Sequence, residues 1–251
     1  MNSILKVRNL TKSFCNGTSV VKAVDGMSFV LKKGEILGIV GESGCGKSTL
    51  AKLITRLIDC DEGEIILNAK NITALKGTQL NEVYKEIQMV FQSPAESFNP
   101  RKTLGSSIIE SLINNGMKRK EAWAKGEKLL TLCGLNPTYM KRYPHQVSGG
   151  ECQRAAIARA LAINPSVLIC DEATSALDVT VQGQIIQLLK KLSKEFEMSY
   201  LFICHDLALV QQFCDHVIVM NNGKLVEQGT PDEVIKNPKK EYTKILVNSV
   251  F

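Results

Sequence analysis

Residues 41–49 read Gly-Glu-Ser-Gly-Cys-Gly-Lys-Ser-Thr (GESGCGKST): a glycine, four residues, then Gly46, Lys47 and the Ser48 hydroxyl. That is the spacing of a phosphate-binding loop. Such a loop relies on bare backbone, because successive N–H groups converge on an anion only where no Cβ blocks the approach, and glycines supply that access. Working outward, Glu35-Ile36-Leu37-Gly38-Ile39-Val40 reads as a buried strand and Lys47 to Ile54 as a helix whose N-terminus faces the loop. The helix dipole then favours bound phosphate. In this reading Lys47 reaches the terminal phosphates as a point charge, and the Ser48 hydroxyl ligates a magnesium ion bridging them. A merely tight glycine turn would leave the lysine and the hydroxyl in register without a reason.

The composition sets bounds around this loop. The chain has 251 residues with 44% hydrophobic content, enough for one large domain or one domain with an inserted subdomain, and too apolar for disorder. No run of about 18 apolar residues occurs, and the start Met1-Asn2-Ser3-Ile4-Leu5-Lys6-Val7 lacks a long apolar core behind a basic end. The expectation is a chain that neither spans a membrane nor is secreted. Eight cysteines (15, 45, 60, 133, 152, 170, 204 and 214) show no Cys-x-x-Cys pair and no clustering with histidine, which speaks against metal or disulfide frameworks. Cys45 in the loop and Cys170 in an apolar run read as small buried residues of a reducing, cytoplasmic compartment. A net charge of +6 is modest for this length, and Lys118-Arg119-Lys120 beside Glu121 reads as a solvated helix start. No nucleic-acid partner is expected.

Along the chain, Ile4 to Val7, Val20 to Val24 and Glu64 to Leu67 read as a small β layer around the loop. From about 96 to 165 the spacing turns helical, broken at Asn99-Pro100, Asn114-Asn115-Gly116, Asn136-Pro137 and Pro144, which fits an inserted helical subdomain. Strands return at 166–170, 200–204 and 216–220, the first two separated by a helix bearing Ile185, Leu188, Leu189 and Leu192. Alternating strand and helix argues for a parallel sheet.

The run Val167-Leu168-Ile169-Cys170-Asp171-Glu172 delivers two carboxylates to the end of an apolar strand. Asp171 would hold the magnesium through its water, and Glu172 would orient and deprotonate the water that attacks the γ-phosphate. An Asp-Glu pair can also simply open a helix near its positive end; the phosphate loop upstream favours the chemical role. Gln92 ends the strand Gln88 to Phe91, where it could sense both phosphate and the helical insert, and His205 ends the strand Tyr200 to Cys204, within reach of a γ-phosphate. Surface caps remain equally open for each of these two residues taken alone. Val147-Ser148-Gly149-Gly150-Glu151 forms a second glycine turn opening a helix, a second candidate anion site.

The order of phosphate loop, Gln92, VSGGE (147–151), VLICDEATSALD (167–178) and ICHD (203–206) resembles the nucleotide-binding subunit of ATP-binding cassette transporters over essentially the whole chain. The resemblance implies an α/β P-loop NTPase fold with a parallel-sheet core, a small antiparallel β layer and an inserted helical subdomain. Residues 1–92 and 166–251 would form the catalytic core, and about 93–165 the helical part. It implies ATP and Mg2+ as cofactors, with Gly41, Glu42, Ser43, Gly44, Cys45, Gly46, Lys47, Ser48 and Thr49 around the phosphates. Ser48, Gln92 and Asp171 would hold the metal, while Glu172, His205, Gln92 and Lys47 carry hydrolysis. Two cassettes of the family close head to tail, so Ser148, Gly149, Gly150 and Glu151 would meet the γ-phosphate held by a second, non-identical cassette, and Asp178 would cross that interface. Phe14 would stack on adenine, although a core position is equally open for it. The family's signature usually has leucine first and glutamine fifth, where this chain has Val147 and Glu151.

Within the family, GESGCGKST, IQMVFQSPAESFNPRKTL (87–104) and the run 200–229 are similar to importers for peptides and nickel, especially at Phe98-Asn99-Pro100-Arg101. The implied assembly places the chain peripherally at the cytoplasmic face of the inner membrane. There it would pair with the second cassette under two membrane-spanning permease subunits fed by an extracytoplasmic substrate-binding protein. Peptide-type cassettes commonly continue past the segment like Asn237 to Thr243 into a cysteine-clustered tail. The stop at Phe251 therefore favours nickel or a related metal chelate, with a dipeptide or oligopeptide importer as the alternative. A cassette ATPase without transport is disfavoured by the single phosphate loop and the absence of a long insert. Coupling to the membrane subunits is expected through Ser93 to Arg101 and Tyr139 to Gln146.

Overall fold

The computed structural model describes residues 3–17, 19–175 and 177–249. The chain opens with β1 (Ser3–Asn16) and β2 (Ser19–Lys32), a long antiparallel hairpin whose register shifts between Val7 and Lys12. Both strands run well beyond the short apolar stretches that mark them in the sequence, because Leu5, Val7 and Leu10 on β1 and Val24, Met27, Phe29 and Leu31 on β2 supply buried positions along most of the ribbon. Next come β3 (Ile36–Val40), the phosphate loop, and α1 (Lys47–Ile54). After β4 (Glu62–Leu67) and the two-residue β5 (Lys70–Asn71), α2 (Leu80–Glu86) leads directly into β6 (Ile87–Val90). Between β6 and the next strand lie α3 (Leu104–Asn114), α4 (Arg119–Leu132) and α5 (Gly149–Leu161), with short 3-10 turns at Pro137–Lys141 and Pro144–Gln146 between α4 and α5. The chain then alternates: β7 (Val167–Asp171), α6 (Val179–Phe196), β8 (Ser199–Ile203), α7 (Leu207–Phe213) and β9 (His216–Asn221). It finishes with β10 (Lys224–Gly229), α8 (Pro231–Lys236) and α9 (Glu241–Asn248).

Two sheets result. The antiparallel one runs β2-β1-β4-β5, and the larger runs β10-β9-β3-β8-β7-β6. In the larger sheet β6, β7, β8, β3 and β9 are parallel, while β10 returns antiparallel on β9 through the tight turn at Asn222-Gly223. The sheet is therefore mixed rather than purely parallel, as expected when a short hairpin replaces a helical crossover at an edge.

Side-chain alternation along the buried strands divides the interior. Ile36, Val40, Leu168, Cys170, Tyr200 and Phe202 join one core with α3, α4, α5, α6 and α7. Leu37, Ile39, Val167, Ile169, Leu201 and Ile203 join the other with α1 and the antiparallel layer. Successive residues point to opposite faces, so continuously apolar strands are what a sheet covered on both sides requires. The helix expected from Ile185, Leu188, Leu189 and Leu192 is α6, and all four are buried. Cys45 and Cys170 are buried as expected, and all eight cysteines are free thiols.

Candidate nucleotide site

β3 lies in the middle of the larger sheet with β8 on one side and β9 on the other, so the chain leaves it at a point where strand order reverses. The loop that follows is glycine-bound for steric reasons. Gly41 has φ 155° and a Cβ there would sit 2.1 Å from the Met220 carbonyl oxygen. Gly46 has φ 108° and its Cβ would sit 1.9 Å from the Ala23 carbonyl oxygen. Hairpin and loop thus press together at positions where any side chain would collide. The Gly223 N–H donates to the Cys45 carbonyl (2.9 Å), pinning the loop from the β9–β10 turn. Lys47 is 4% exposed and its Nζ donates to the carbonyls of Gly41 (2.7 Å) and Glu42 (2.8 Å), so the ammonium lies folded within the loop. Glu42, Ser43, Gly44 and Ser48 face solvent, and Thr49 is half-buried. Burial pushes the Cys45 thiol above its ordinary value and leaves it an inert, neutral filler.

The Ser48 hydroxyl donates to Asp171 Oδ1 at 3.0 Å, across from the end of β7. Burial raises the Asp171 carboxyl above its usual range, with the Ser48 hydrogen bond opposing. Both residues line a cleft of about 530 Å³ together with Lys52, Phe91 and Gln92. The next residue, Glu172, stands at φ 47°, in the left-handed region that ordinary residues avoid. Its N–H donates to the Ile203 carbonyl (2.9 Å), which holds it there. That turn brings Glu172 Oε2 to 2.7 Å from Gln92 Nε2, which also lies 3.4 Å from the Ser175 hydroxyl. His205 Nδ1 is 4.0 Å from Glu172 Oε1. Lys47, Ser48, Gln92, Asp171, Glu172 and His205 therefore converge at the ends of β3, β6, β7 and β8. Ala176, in the run linking this cluster to Asp178, lies outside the described residues.

The second glycine turn belongs to a different place. Ser148 caps α5: its hydroxyl accepts from the Glu151 N–H (3.3 Å) while Glu151 Oε2 accepts from the Ser148 N–H (2.8 Å). This reciprocal capping box satisfies two otherwise orphan donors. Glu151 Oε1 accepts from the Tyr139 hydroxyl, a bond that holds the Glu151 carboxyl below its ordinary value. Both Glu151 oxygens are thus engaged, one in the capping box and the other by Tyr139 of the 3-10 turn Pro137–Lys141. Gly149 and Gly150 lie against the start of α6, where a Cβ at 150 would meet Val181 Cγ1 at 2.7 Å. Asp178 caps α6 by accepting from the Val181 N–H (3.0 Å). Among the described residues, no hydrogen bond joins this edge to the phosphate loop. Ser148→Ala is expected to lower stability by about 1 kcal/mol through the lost cap, read as a shifted urea midpoint with an unchanged slope.

Phe14 stands apart on β1, 45% exposed beside exposed Val20 and Val21, with Lys12 Nζ 5.7 Å from its ring centroid. The core alternative is thereby excluded. A contact without any local sequence signal is that of Tyr242 on α9, whose hydroxyl accepts from the Glu42 N–H of the loop at 3.2 Å.

Residues 24–175 match the ABC transporter family. This chain belongs to the ABC transporter family. The cassette is 47% identical to the oligopeptide transport ATP-binding protein AppF of Bacillus subtilis, over 99% of this chain and 78% of that protein. It is 44% identical to oligopeptide transport ATP-binding protein OppF of Salmonella typhimurium (94% and 72% covered), and 44% identical to glutathione import ATP-binding protein GsiA of Pectobacterium atrosepticum (98% and 41%). Among solved structures it resembles the dimeric post-hydrolysis cassette MJ0796 bound to ADP and Pi, with TM-score 0.84 at 30% identity over 90% of this chain and 98% of the other. It also resembles CbiO1 of Clostridium perfringens, described as part of the transporter complex CbiONQ, with TM-score 0.83 at 29% identity (94% and 92% covered). The cassette binds and hydrolyses ATP as an ATP-binding subunit of its family. No helix among the described residues is long and apolar enough to cross a membrane. These relatives give no support to the nickel subtype favoured from the end of the sequence; they side with the peptide alternative.

Proposed function

We propose that this cassette powers an importer for peptides, oligopeptides or short peptides of the glutathione kind, rather than for nickel. The observation that carries this reading is the 47% identity with a protein named for oligopeptide transport, over 99% of this chain. In this reading the cassette sits peripherally at the cytoplasmic face of the membrane. It closes head to tail on a second cassette beneath two membrane-spanning permease subunits, with an extracytoplasmic binding protein delivering cargo and no nucleic acid involved.

The residues support a division of labour. The loop amides, the α1 N-terminus and Lys47 gather the phosphates once ATP draws the lysine from its own carbonyls. The Ser48 hydroxyl and Asp171 carboxylate form a hard-oxygen pair suited to Mg2+, with Gln92 lining the same cleft and water and phosphate oxygens completing the shell. When bound, that cation would neutralise charge on the terminal phosphates. Glu172 accepts the proton of the attacking water, oriented by Gln92 on one oxygen, while His205 beside its other oxygen addresses the γ-phosphate. Because Ser148, Gly149, Gly150 and Asp178 form one edge apart from the chain's own loop, they serve the nucleotide of the second cassette, and Phe14 meets adenine.

Coupling runs through the segment after Gln92. Arg159 of α5 donates to the Ser97 carbonyl (2.6 Å) and hydroxyl (2.8 Å), and its guanidinium lies 4.2 Å from the Phe98 ring centroid. A membrane subunit gripping Ser93 to Arg101 thereby pulls on the helix that Ser148 caps, and Tyr139 to Gln146 form the second half of that surface. The test is reconstitution of this cassette with its neighbouring permease subunits and binding protein. Peptide-loaded binding protein is expected to raise the ATPase rate and nickel-loaded protein to leave it unchanged; stimulation by nickel alone overturns the cargo assignment.

A further inference from the structure

We infer that Tyr242 is a positioning residue for the phosphate loop, tying the C-terminal helix to the site that binds ATP. The peptide unit between Gly41 and Glu42 is held at both ends. Its carbonyl, on Gly41, accepts from Lys47 Nζ at 2.7 Å, and its N–H, on Glu42, donates to the Tyr242 hydroxyl at 3.2 Å. In a planar trans peptide those two groups point in opposite directions. The tyrosine therefore grips the outer side of the plane whose inner side faces the phosphate-binding lysine. Rotation of that plane would break both bonds together, so the hydroxyl fixes the orientation of the loop's first peptide plane and keeps holding it when ATP draws Lys47 away from the Gly41 carbonyl.

Tyr242 can act this way because its own helix is anchored elsewhere. The Glu227 carboxylate on β10 accepts from the N–H groups of Lys239 (2.9 Å) and Lys240 (3.1 Å), holding the start of α9. Thr243 is fully buried and Leu246 nearly so, which seats the helix on the core. The tyrosine ring packs partly buried against that core, and its hydroxyl is directed at the loop. Partial burial raises the phenol above its ordinary value, so it remains neutral and able to accept from an amide. Of the loop's backbone hydrogen bonds among the described residues, this one and the Gly223 bond to Cys45 come from distant elements, and they hold opposite ends of the loop. Any displacement of α9 is transmitted to the Glu42 amide.

Tyr242→Phe removes one oxygen and keeps the ring packing. In the 251-residue cassette, ATP affinity is expected to fall by about three- to ten-fold, the range of a single neutral hydrogen bond. The Glu42 amide should exchange its hydrogen faster while the melting temperature stays unchanged. KM for ATP should rise with little change in kcat, since Glu172 is untouched. The inference fails if ATP affinity and Glu42 exchange both match the parent. It fails equally if the variant loses thermal stability with Glu42 exchange unaltered, which would make the tyrosine a packing residue. Because the readouts are nucleotide binding and one amide, they stand independently of the imported cargo.

Discussion

Glu172→Gln is expected to retain ATP binding and lose turnover by about 10²–10⁴-fold, the range that a positioned general base contributes. The amide is isosteric with the carboxylate and keeps a carbonyl oxygen to accept from Gln92 Nε2, which now lies 2.7 Å away. The left-handed turn at residue 172 does not depend on the side chain's charge, since the backbone bond to Ile203 sets it. Only the capacity to take a proton from water is removed. Single-turnover hydrolysis and equilibrium ATP binding separate the two effects, and hydrolysis at the parental rate would remove Glu172 from the role of base.

The second large effect is steric. Gly46→Ala places a methyl group 1.9 Å from the Ala23 carbonyl oxygen and 2.9 Å from Met220 Cε, on a backbone at φ 108° that L side chains rarely adopt. Together, backbone strain and overpacking cost roughly 2–5 kcal/mol, and relief requires moving either the β2 ribbon or the loop. A lower denaturation midpoint accompanied by lost ATP binding is expected. Gly44→Ala is the control: its φ is 80°, but a Cβ there meets nothing within 4 Å. In stability that variant carries only the conformational cost, about 1–2 kcal/mol. Equal behaviour of the two would mean that collision at residue 46 is not what demands glycine.

The strand, loop and helix spanning 36–54 were legible because each signal is local: an apolar run, glycines at fixed spacing, then a helix-forming stretch. Gln92, Asp171, Glu172 and His205 were legible as strand-end polar residues, since apolar strands followed by such groups are evident in one dimension. Their meeting around Glu172 depends on the order β3-β8-β7-β6, which local propensity does not encode; the family resemblance implied their shared role and not that order. The antiparallel β10, the short helices α7 to α9 and the Tyr242 contact went unread. The first is a hairpin at an edge, and the last joins residues at opposite ends of the chain through a single hydroxyl. Cargo was the least legible property. A reading drawn from where the sequence stops carries no physics of recognition, and selection belongs to surfaces that other subunits supply.

The placement of β3 also governs how the molecule can be made. Leu37 to Val40 pair with His216 to Val219 on one side, and Ile36 to Ile39 with Tyr200 to Ile203 on the other. The strand that launches the phosphate loop thus leaves the ribosome long before Tyr200 to Ile203 and His216 to Val219, and has neither neighbour until they follow. The β1–β2 ribbon can form at once from nearby residues, whereas the central sheet must wait for its late strands. During translation an apolar strand with two open edges needs shelter, and a nascent chain stalled before residue 216 would be a client for chaperones rather than a partly working ATPase.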